Sequence, residues 1–378
     1  MGDIPLLFTF NCIFKRKMQH RGLLFIPDIS GFTRFVNETD IDHSRLIIQE
    51  LLEALINSNT IGLEISEIEG DAILFYRFGE SPSLPEIYRQ VEEMFITFHR
   101  NIRAYDNRRF CQCNACRATI NLTLKVITHY GEFTGYNVKN FNKLIGKDII
   151  VAHQLLKNDI GQHEYWLVTQ SLLPTPDATR LPGWIEWSSS SKQTEAGEIS
   201  FQYTQLSPLK ENVKPDPPPK LELSSKIKVL SLSNDYDCDL IPIFHATGDM
   251  NYRSRWEEGV DRVEEISPFL PRMGMRCRVV SDRGEKIVYA SSYHYEPEKI
   301  TFSETEDETG RVTFFTLEEL NPHRTRVTID YYLPRAPFKK LLFQMTEKKQ
   351  LGQRLRQSLL NLSQVAASIK LPVASPGL

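Results

Sequence analysis

Apolar residues change their spacing several times along this chain, and each change predicts an element. Residues 22–27 form a continuous apolar run that ends at Pro27 and Asp28, the pattern of a buried strand. Across 42–57 Leu46, Ile47, Leu51, Leu52 and Leu55 recur at helical spacing. LEISEIEG and DAILFYRF alternate as two strands joined at Gly70-Asp71, a tight hairpin signal. A long amphipathic helix follows over 84–104. NLTLKVITHYGEFTGY reads as a strand and turn, IIVAHQLLKN as a helix start, and EYWLVTQSLL as a late strand. The order β-α-β-β-α-β predicts an α+β, ferredoxin-like arrangement, an antiparallel sheet with helices on one face.

Residues 207–226 break this pattern. Pro208, Pro215, Pro217, Pro218 and Pro219 make the segment extended, with no apolar period to bury. A strand at 226–234 opens the second half, and a polar and aromatic stretch, NYRSRWEEGVDRVEEI, follows it. Five alternating strands come next, from MRCRVVSD to RTRVTIDYYL, with turns marked by Gly or Pro. One long helix is expected over 338–369, its apolar stripe formed by Leu351, Leu355, Leu359, Leu362 and Ile369. The architecture implied is a curved antiparallel sheet wrapped on a C-terminal helix.

Composition narrows the function classes. The 378 residues carry a net charge of −3, which gives no electrostatic case for nucleic acid or an anionic membrane. No uninterrupted apolar stretch reaches the roughly 18 residues of a membrane span. At the N-terminus a short apolar patch precedes Lys15, Arg16 and Lys17, the reverse of a secretory signal. The first 21 residues are therefore expected to be a loose extension, with Met18 as an alternative start. Six cysteines, three of them in CQCNAC, do not form the framework of a small secreted domain, and a cytoplasmic setting is expected.

Two carboxylates stand at strand ends: Asp28 after the first strand and Asp71 in the hairpin. Buried charge is costly unless it is paired or binds a metal. In a ferredoxin-like sheet the first strand and the hairpin are neighbours, so the two can converge. With a backbone carbonyl such as that of Ile29 they make an oxygen-only site suited to Mg²⁺ or Mn²⁺. The alternative is that Asp28 caps the following turn and Asp71 serves the hairpin.

FIPDISGFTRFV followed by EIEGDAILFY resembles the catalytic domain of class III adenylate and guanylate cyclases over roughly residues 22–175. ITHYGEF and LIGKDIIVAHQLL extend the likeness. The resemblance implies a cyclase fold in which Asp28, Ile29 and Asp71 bind divalent metal, a nucleoside triphosphate as ligand, and a homodimer through this half. It places Glu67 and Lys143 at the base-selecting positions, and Ile150 and Gln154 where the family has its transition-state Asn and Arg. Neither Ile nor Gln offers a charged fork to a phosphate. Catalysis is therefore expected to be impaired unless Lys125, Lys139, Lys143 or Lys147 substitutes.

Two further features carry chemistry. Cys111, Cys113 and Cys116 are one ligand short of a zinc set, and His99 or His153 is the expected fourth; the alternative is a group of reduced, half-buried thiols at a helix end. The second half resembles the START-related helix-grip (SRPBCC-type) superfamily over about 226–370. That resemblance implies an apolar small molecule or lipid held between sheet and helix. Trp256, Tyr293, Phe302, Phe314, Tyr331 and Phe343 are the candidate lining, Arg253 a further polar contributor, and residues 266–275 a candidate mouth. The same aromatics would also serve as plain core.

The domains expected are thus a cyclase-like 22–205, a linker over 206–225, a helix-grip 226–370 and a tail over 371–378. The leading expectation is a two-domain regulatory protein with a metal- and nucleotide-binding, catalytically impaired dimerisation domain and a ligand-binding domain. The alternatives are an active nucleotidyl cyclase under ligand control, and a lipid or polyketide-type carrier with the first half as scaffold.

Overall fold

The computed structural model describes residues 21–39, 41–111, 113–173, 181–195, 197–214, 217–266 and 272–369. The expected N-terminal extension up to residue 20, the tail, and half of the candidate mouth at 266–275 lie outside these residues. In chain order the first elements are β1 (Arg21–Ser30), α1 (Phe32–Glu38), α2 (Ile41–Asn57), β2 (Glu64–Glu69), β3 (Ala72–Phe78), α3 (Leu84–Arg108) and α4 (Asn114–Ala118). Next come β4 (Thr123–Glu132), β5 (Thr134–Val138), β6 (Phe141–Ile145), α5 (Lys147–Leu156), β7 (Tyr165–Thr169), β8 (Ser188–Thr194) and β9 (Gly197–Gln205). The remainder are β10 (Lys226–Tyr236), α6 (Leu240–Gly248), α7 (Arg253–Trp256), β11 (Val260–Glu265), β12 (Arg276–Ser281), β13 (Gly284–Glu296), β14 (Lys299–Glu306), β15 (Val312–Asn321), β16 (Arg324–Pro334), α8 (Pro337–Thr346) and α9 (Lys348–Ser368). The fold is α+β, and among the described residues no helix is long and apolar enough to cross a membrane.

Compactness divides the chain into two units, each assembled from separated segments. Of the described residues, one unit contains those from Arg21 to Ser30 together with Ser58–Phe95 and Leu124–Lys210; the other contains Gly31–Asn57, Ile96–Thr123 and those from Glu211 to Ile369.

The first unit is built on a sheet of order β2-β3-β1-β4-β7-β9-β8. β1 is buried along its whole length after Arg21, as its unbroken apolar run requires of a central strand. It pairs antiparallel with β3, which pairs antiparallel with β2, and β4 runs parallel to β7. Leu24, Ile26, Leu74, Ile127, Leu155 and Leu167 form the core. α5 starts at Gly146, where a Cβ would stand 2.7 Å from the Glu132 carbonyl oxygen, so only glycine lets strand and helix approach this closely.

The second unit holds a wholly antiparallel sheet of order β10-β16-β15-β14-β13-β12-β11. Register breaks at Lys228/Leu230, Ala290/Ser292 and Glu319/Asn321 are bulges of the kind that curve a sheet. Leu355, Leu359, Leu362 and Val365 of α9 bury one stripe in a core that includes Trp256, Phe302, Phe315 and Ile329. The Tyr236 hydroxyl, buried, donates to the Leu359 carbonyl at 2.6 Å and fastens β10 to α9.

The single helix expected over 338–369 is two. Glu347 between them stays in the right-handed helical region but with φ stretched to −109° (ψ −30°), and its carboxylate is held by both terminal guanidinium nitrogens of Arg311 at 2.7 and 3.2 Å. β11 occupies part of the stretch read as polar and aromatic. α6 was hidden by Pro242, which sits in the first turn where its missing N–H costs nothing. The β8–β9 hairpin was hidden by SSSSKQT, whose exposed residues show no apolar alternation.

Candidate functional site

β1 and β3 bring the two strand-end carboxylates to one place. Asp28 pairs in register with Ala72, and the Ile29 amide donates to the Asp71 carbonyl at 3.0 Å. Burial pushes the Asp28 carboxyl up, opposed by Lys125, whose ammonium lies 3.2 Å from it. Asp71 is pushed up to about 6, first by burial and then by the neighbouring charge of Asp28. Two neighbouring acids, one of which raises the pKa of the other, define a spot of concentrated negative potential. Lys125 partly answers it, while also donating to the Leu156 carbonyl at 3.2 Å.

Glu67 on β2 and Lys143 on β6 form an ion pair, and the His153 ring stands 3.7 Å from the same carboxylate. Tied to Glu67, Lys143 is held above the ordinary lysine range. The two residues expected at the base-selecting positions are thus brought together, engaged with each other. Of the transition-state positions, Ile150 is 53% exposed and carries no polar group. The Oε1 atom of Gln154 is buried with no hydrogen-bond donor among the described residues. Of the lysines weighed as substitutes, Lys125 and Lys143 are engaged with acids, Lys139 sits in the β5–β6 turn with φ 52°, and Lys147 opens α5.

The ITHYGEF segment supplies a polar network that the sequence did not reveal as such. His129 Nε2 lies 3.0 Å from Asp148 Oδ1, and His129 Nδ1 lies 2.8 Å from Thr169 Oγ1. Asp148 Oδ2 accepts from the Glu132 amide at 2.7 Å. Burial alone would raise the Asp148 carboxyl, but the His129 and Glu132 hydrogen bonds hold it below the usual range. His129 is 6% and Thr169 1% exposed, so this network ties β4, β7 and α5 together in the interior.

The three clustered cysteines acquire a fourth neighbour from α2. His43 Nδ1 lies 3.3 Å from Cys113 Sγ and 3.6 Å from Cys116 Sγ. One ligand atom from each of His43, Cys111, Cys113 and Cys116 can be chosen so that all lie within 4.8 Å of one another. The histidine expected here was His99 or His153. His99 instead sets its ring edge-on to Phe98, and His153 faces Glu67. No spacing rule reaches from α2 to a cysteine group that follows another helix, so His43 has no signal in the sequence. The sulfurs of Cys111 and Cys113 push His43 up to about 10, while crowding by the other thiols drives Cys113 far down and Cys116 far up.

Between sheet and α9 of the second unit lies a cleft of about 210 Å³. Trp256, Tyr331 and Arg253 line it, together with Glu257, Lys286, Glu304, Glu306 and Arg311. Arg253 is 3% exposed, 2.8 Å from Glu257, paired with Glu304, and its guanidinium lies 5.1 Å from the Trp256 ring centre. Phe302 stacks on Phe315 at 4.5 Å and 7°, filling the interior. Phe343 stacks on Tyr331 at 6.1 Å, Phe314 is half-buried, and Tyr293 stacks on Phe110 while its hydroxyl donates to the Phe110 carbonyl at 2.7 Å. Tyr293, Phe302, Phe314 and Phe343 do not line the cleft.

A family described as "Protein of unknown function (DUF2652)" matches residues 48–165. "Uncharacterized protein Rv2561/Rv2562" of Mycobacterium tuberculosis is 32% identical over 122 residues, 32% of this chain. The chain spans 56% of the length of that curated relative. Among solved structures, the catalytic core of a rhodopsin-guanylyl cyclase with converted specificity, in complex with ATPalphaS, is 13% identical. It covers 50% of this chain and 96% of its own, with a TM-score of 0.35. A bacterial light-regulated adenylyl cyclase is 11% identical, covering 49% of this chain and 52% of its own, with a TM-score of 0.35. A START superfamily protein from Mycobacterium smegmatis is 14% identical, covering 38% of this chain and all of its own (100%), with a TM-score of 0.29.

Proposed function

We propose that segment 22–205 binds a divalent cation together with a nucleoside triphosphate and does not cyclise it efficiently, and that segment 226–370 is a ligand-binding regulatory domain. The observation that carries this reading is the Asp28–Asp71 pair. Two mutually repelling, partly buried carboxylates answered by a single lysine fit a hard cation. Asp28, Asp71 and the Ile29 carbonyl would hold it. When bound, Mg²⁺ or Mn²⁺ supplies positive charge to oxygen ligands and phosphates. The poor turnover follows from Ile150 and Gln154, which offer no cation to a transferring phosphoryl group; loss of such an arginine costs about 10³-fold or more.

Self-association of this segment is part of the same reading. Ile65 and Ile68 on β2, Tyr136 and Val138 on β5, Ile145 on β6 and Ile150 on α5 are all between 43% and 59% exposed. β6 pairs with β5 and neighbours β2, so these residues sit on adjoining elements. An apolar surface of this kind suits a second copy of the chain.

The test is Mn²⁺ binding by the full chain, followed by paramagnetic resonance with and without a non-hydrolysable ATP or GTP analogue, alongside an assay for cyclic product. Binding that is lost in Asp28→Asn and in Asp71→Asn, with product absent or very low, is the expected result. Mn²⁺ binding unchanged by both substitutions would leave the carboxylates as turn residues. Robust product that disappears in Asp71→Ala would make the protein an active cyclase.

For the second segment, the charged cleft favours one refinement. Its lining by Arg253, Lys286, Arg311 and several glutamates suits a compact ligand carrying charged groups better than a lipid chain. Thermal-shift screening of the full chain against polar metabolites and fatty acids separates the two.

A further inference from the structure

We propose that His43, Cys111, Cys113 and Cys116 form a closed Cys₃His zinc site that ties α2 to the turn after α3.

The distances carry the argument. Zn²⁺ bonds of about 2.3 Å to sulfur and 2.0–2.1 Å to imidazole, set at a tetrahedral angle, give a sulfur–nitrogen edge of about 3.6 Å. The His43 Nδ1 atom lies 3.3 Å from Cys113 Sγ and 3.6 Å from Cys116 Sγ, so two edges of that tetrahedron already have the required length. All four donor atoms fall within 4.8 Å of one another, close enough for one ion to reach each of them with small side-chain rotations.

The backbone is arranged for the same purpose. Cys113 caps the N-terminus of α4, and its sulfur accepts from the Cys116 amide at 3.5 Å. The Cys113 amide in turn points at Cys111 Sγ at 3.4 Å. Amides aimed at sulfur offset the negative charge of thiolates, as metal-binding turns require. Cys116 is 2% exposed, and the other three donors are half-buried, so the site is shielded without being sealed from solvent during loading.

Ligand type selects the ion. Three thiolates and one imidazole favour a soft or borderline cation, and four protein donors leave no open position for water or substrate. The site is therefore structural. The physical need is visible as well: α4 has five residues and cannot hold itself as an isolated helix, so a metal clip fixes it against α2.

The experiment uses the full chain purified under reducing conditions with a tag free of histidine. Elemental analysis should find one zinc per chain, released as a mercurial binds the thiolates of Cys111, Cys113 and Cys116. Exchange with Co²⁺ should give the intense visible bands of tetrahedral cobalt with thiolate charge transfer. X-ray absorption at the zinc edge of the unmutated protein should fit three sulfurs and one nitrogen, a readout that no folding failure can disturb. Cys113→Ser and His43→Gln should each lose the metal, whereas His43→Cys should keep it and shift the cobalt spectrum toward four sulfurs. Three outcomes would overturn the proposal. One is a folded protein with free thiols that takes up neither Zn²⁺ nor Co²⁺ at micromolar concentration. Another is a disulfide between two of the cysteines in protein kept reduced. The last is zinc retained undiminished in both Cys113→Ser and His43→Gln.

Discussion

Replacing Asp71 with asparagine tests the carboxylate pair through stability alone. In the folded chain Asp71 titrates at about 6, against 3.8 for an ordinary aspartate, because of burial and the charge of Asp28. The folded state therefore holds a proton that the unfolded state has already released between about pH 4 and 6. Stability falls as pH rises through that window, because the folded state binds more protons than the unfolded one. A difference of about two pH units corresponds to ~3 kcal/mol. Since Asp71 is half-exposed, solvent screening brings the expected effect down to ~1 kcal/mol. Asp28 is shifted in the same direction and adds to the trend. Urea unfolding of the parent and Asp71→Asn from pH 4.5 to 7.5 isolates the term, since other titrating groups cancel in the difference. Asp71→Asn should be the more stable at pH 7 by ~1 kcal/mol, with the gap closing toward pH 4.5. Millimolar Mg²⁺ or Mn²⁺ at pH 7 should stabilise the parent and leave the variant unchanged. A variant that is less stable than the parent at pH 7, with a parallel pH profile, would refute the reasoning and make Asp71 a hairpin residue.

Other expectations follow from the same geometry. Arg253→Met strands the buried Glu304 carboxylate beside the half-buried Glu257 and should cost about 3–5 kcal/mol in urea unfolding, much of it recovered by adding Glu304→Leu. Tyr236→Phe removes the buried hydrogen bond to the Leu359 carbonyl and should cost about 1 kcal/mol without altering the fold by circular dichroism. If the exposed isoleucines mediate self-association, Ile68→Lys with Ile145→Asp should turn a dimer into a monomer in light scattering, and an unchanged mass would discard that surface.

Wherever one period governs a segment, the residues alone were enough. The unbroken run of β1, the helical stripe of α2 and the alternation of β12 to β16 each fix an element locally, because side-chain direction follows from backbone period. The bulges that curve the second sheet, the break at Glu347 and the hairpin of Ser188–Thr194 with Gly197–Gln205 depend on partners distant in sequence, and no local pattern announces them.

The same division runs through the candidate sites. Asp28 and Asp71 were readable because both sit where a strand ends, and strand adjacency in a β-α-β-β unit follows from connectivity. Their mutual effect on charge needed the packed sheet, since burial sets the size of the interaction. Three cysteines announced themselves by spacing within six residues, but His43 joins them only because α2 lies against α4. The aromatic residues of the second half could be read from the sequence either as cavity lining or as core. Which of them face a cleft and which fill the interior, and that Arg253 with its glutamates lines that cleft, was decided by how the sheet curves around α9. Local periodicity fixes which way a side chain points along its own element; only long-range packing fixes what it meets there.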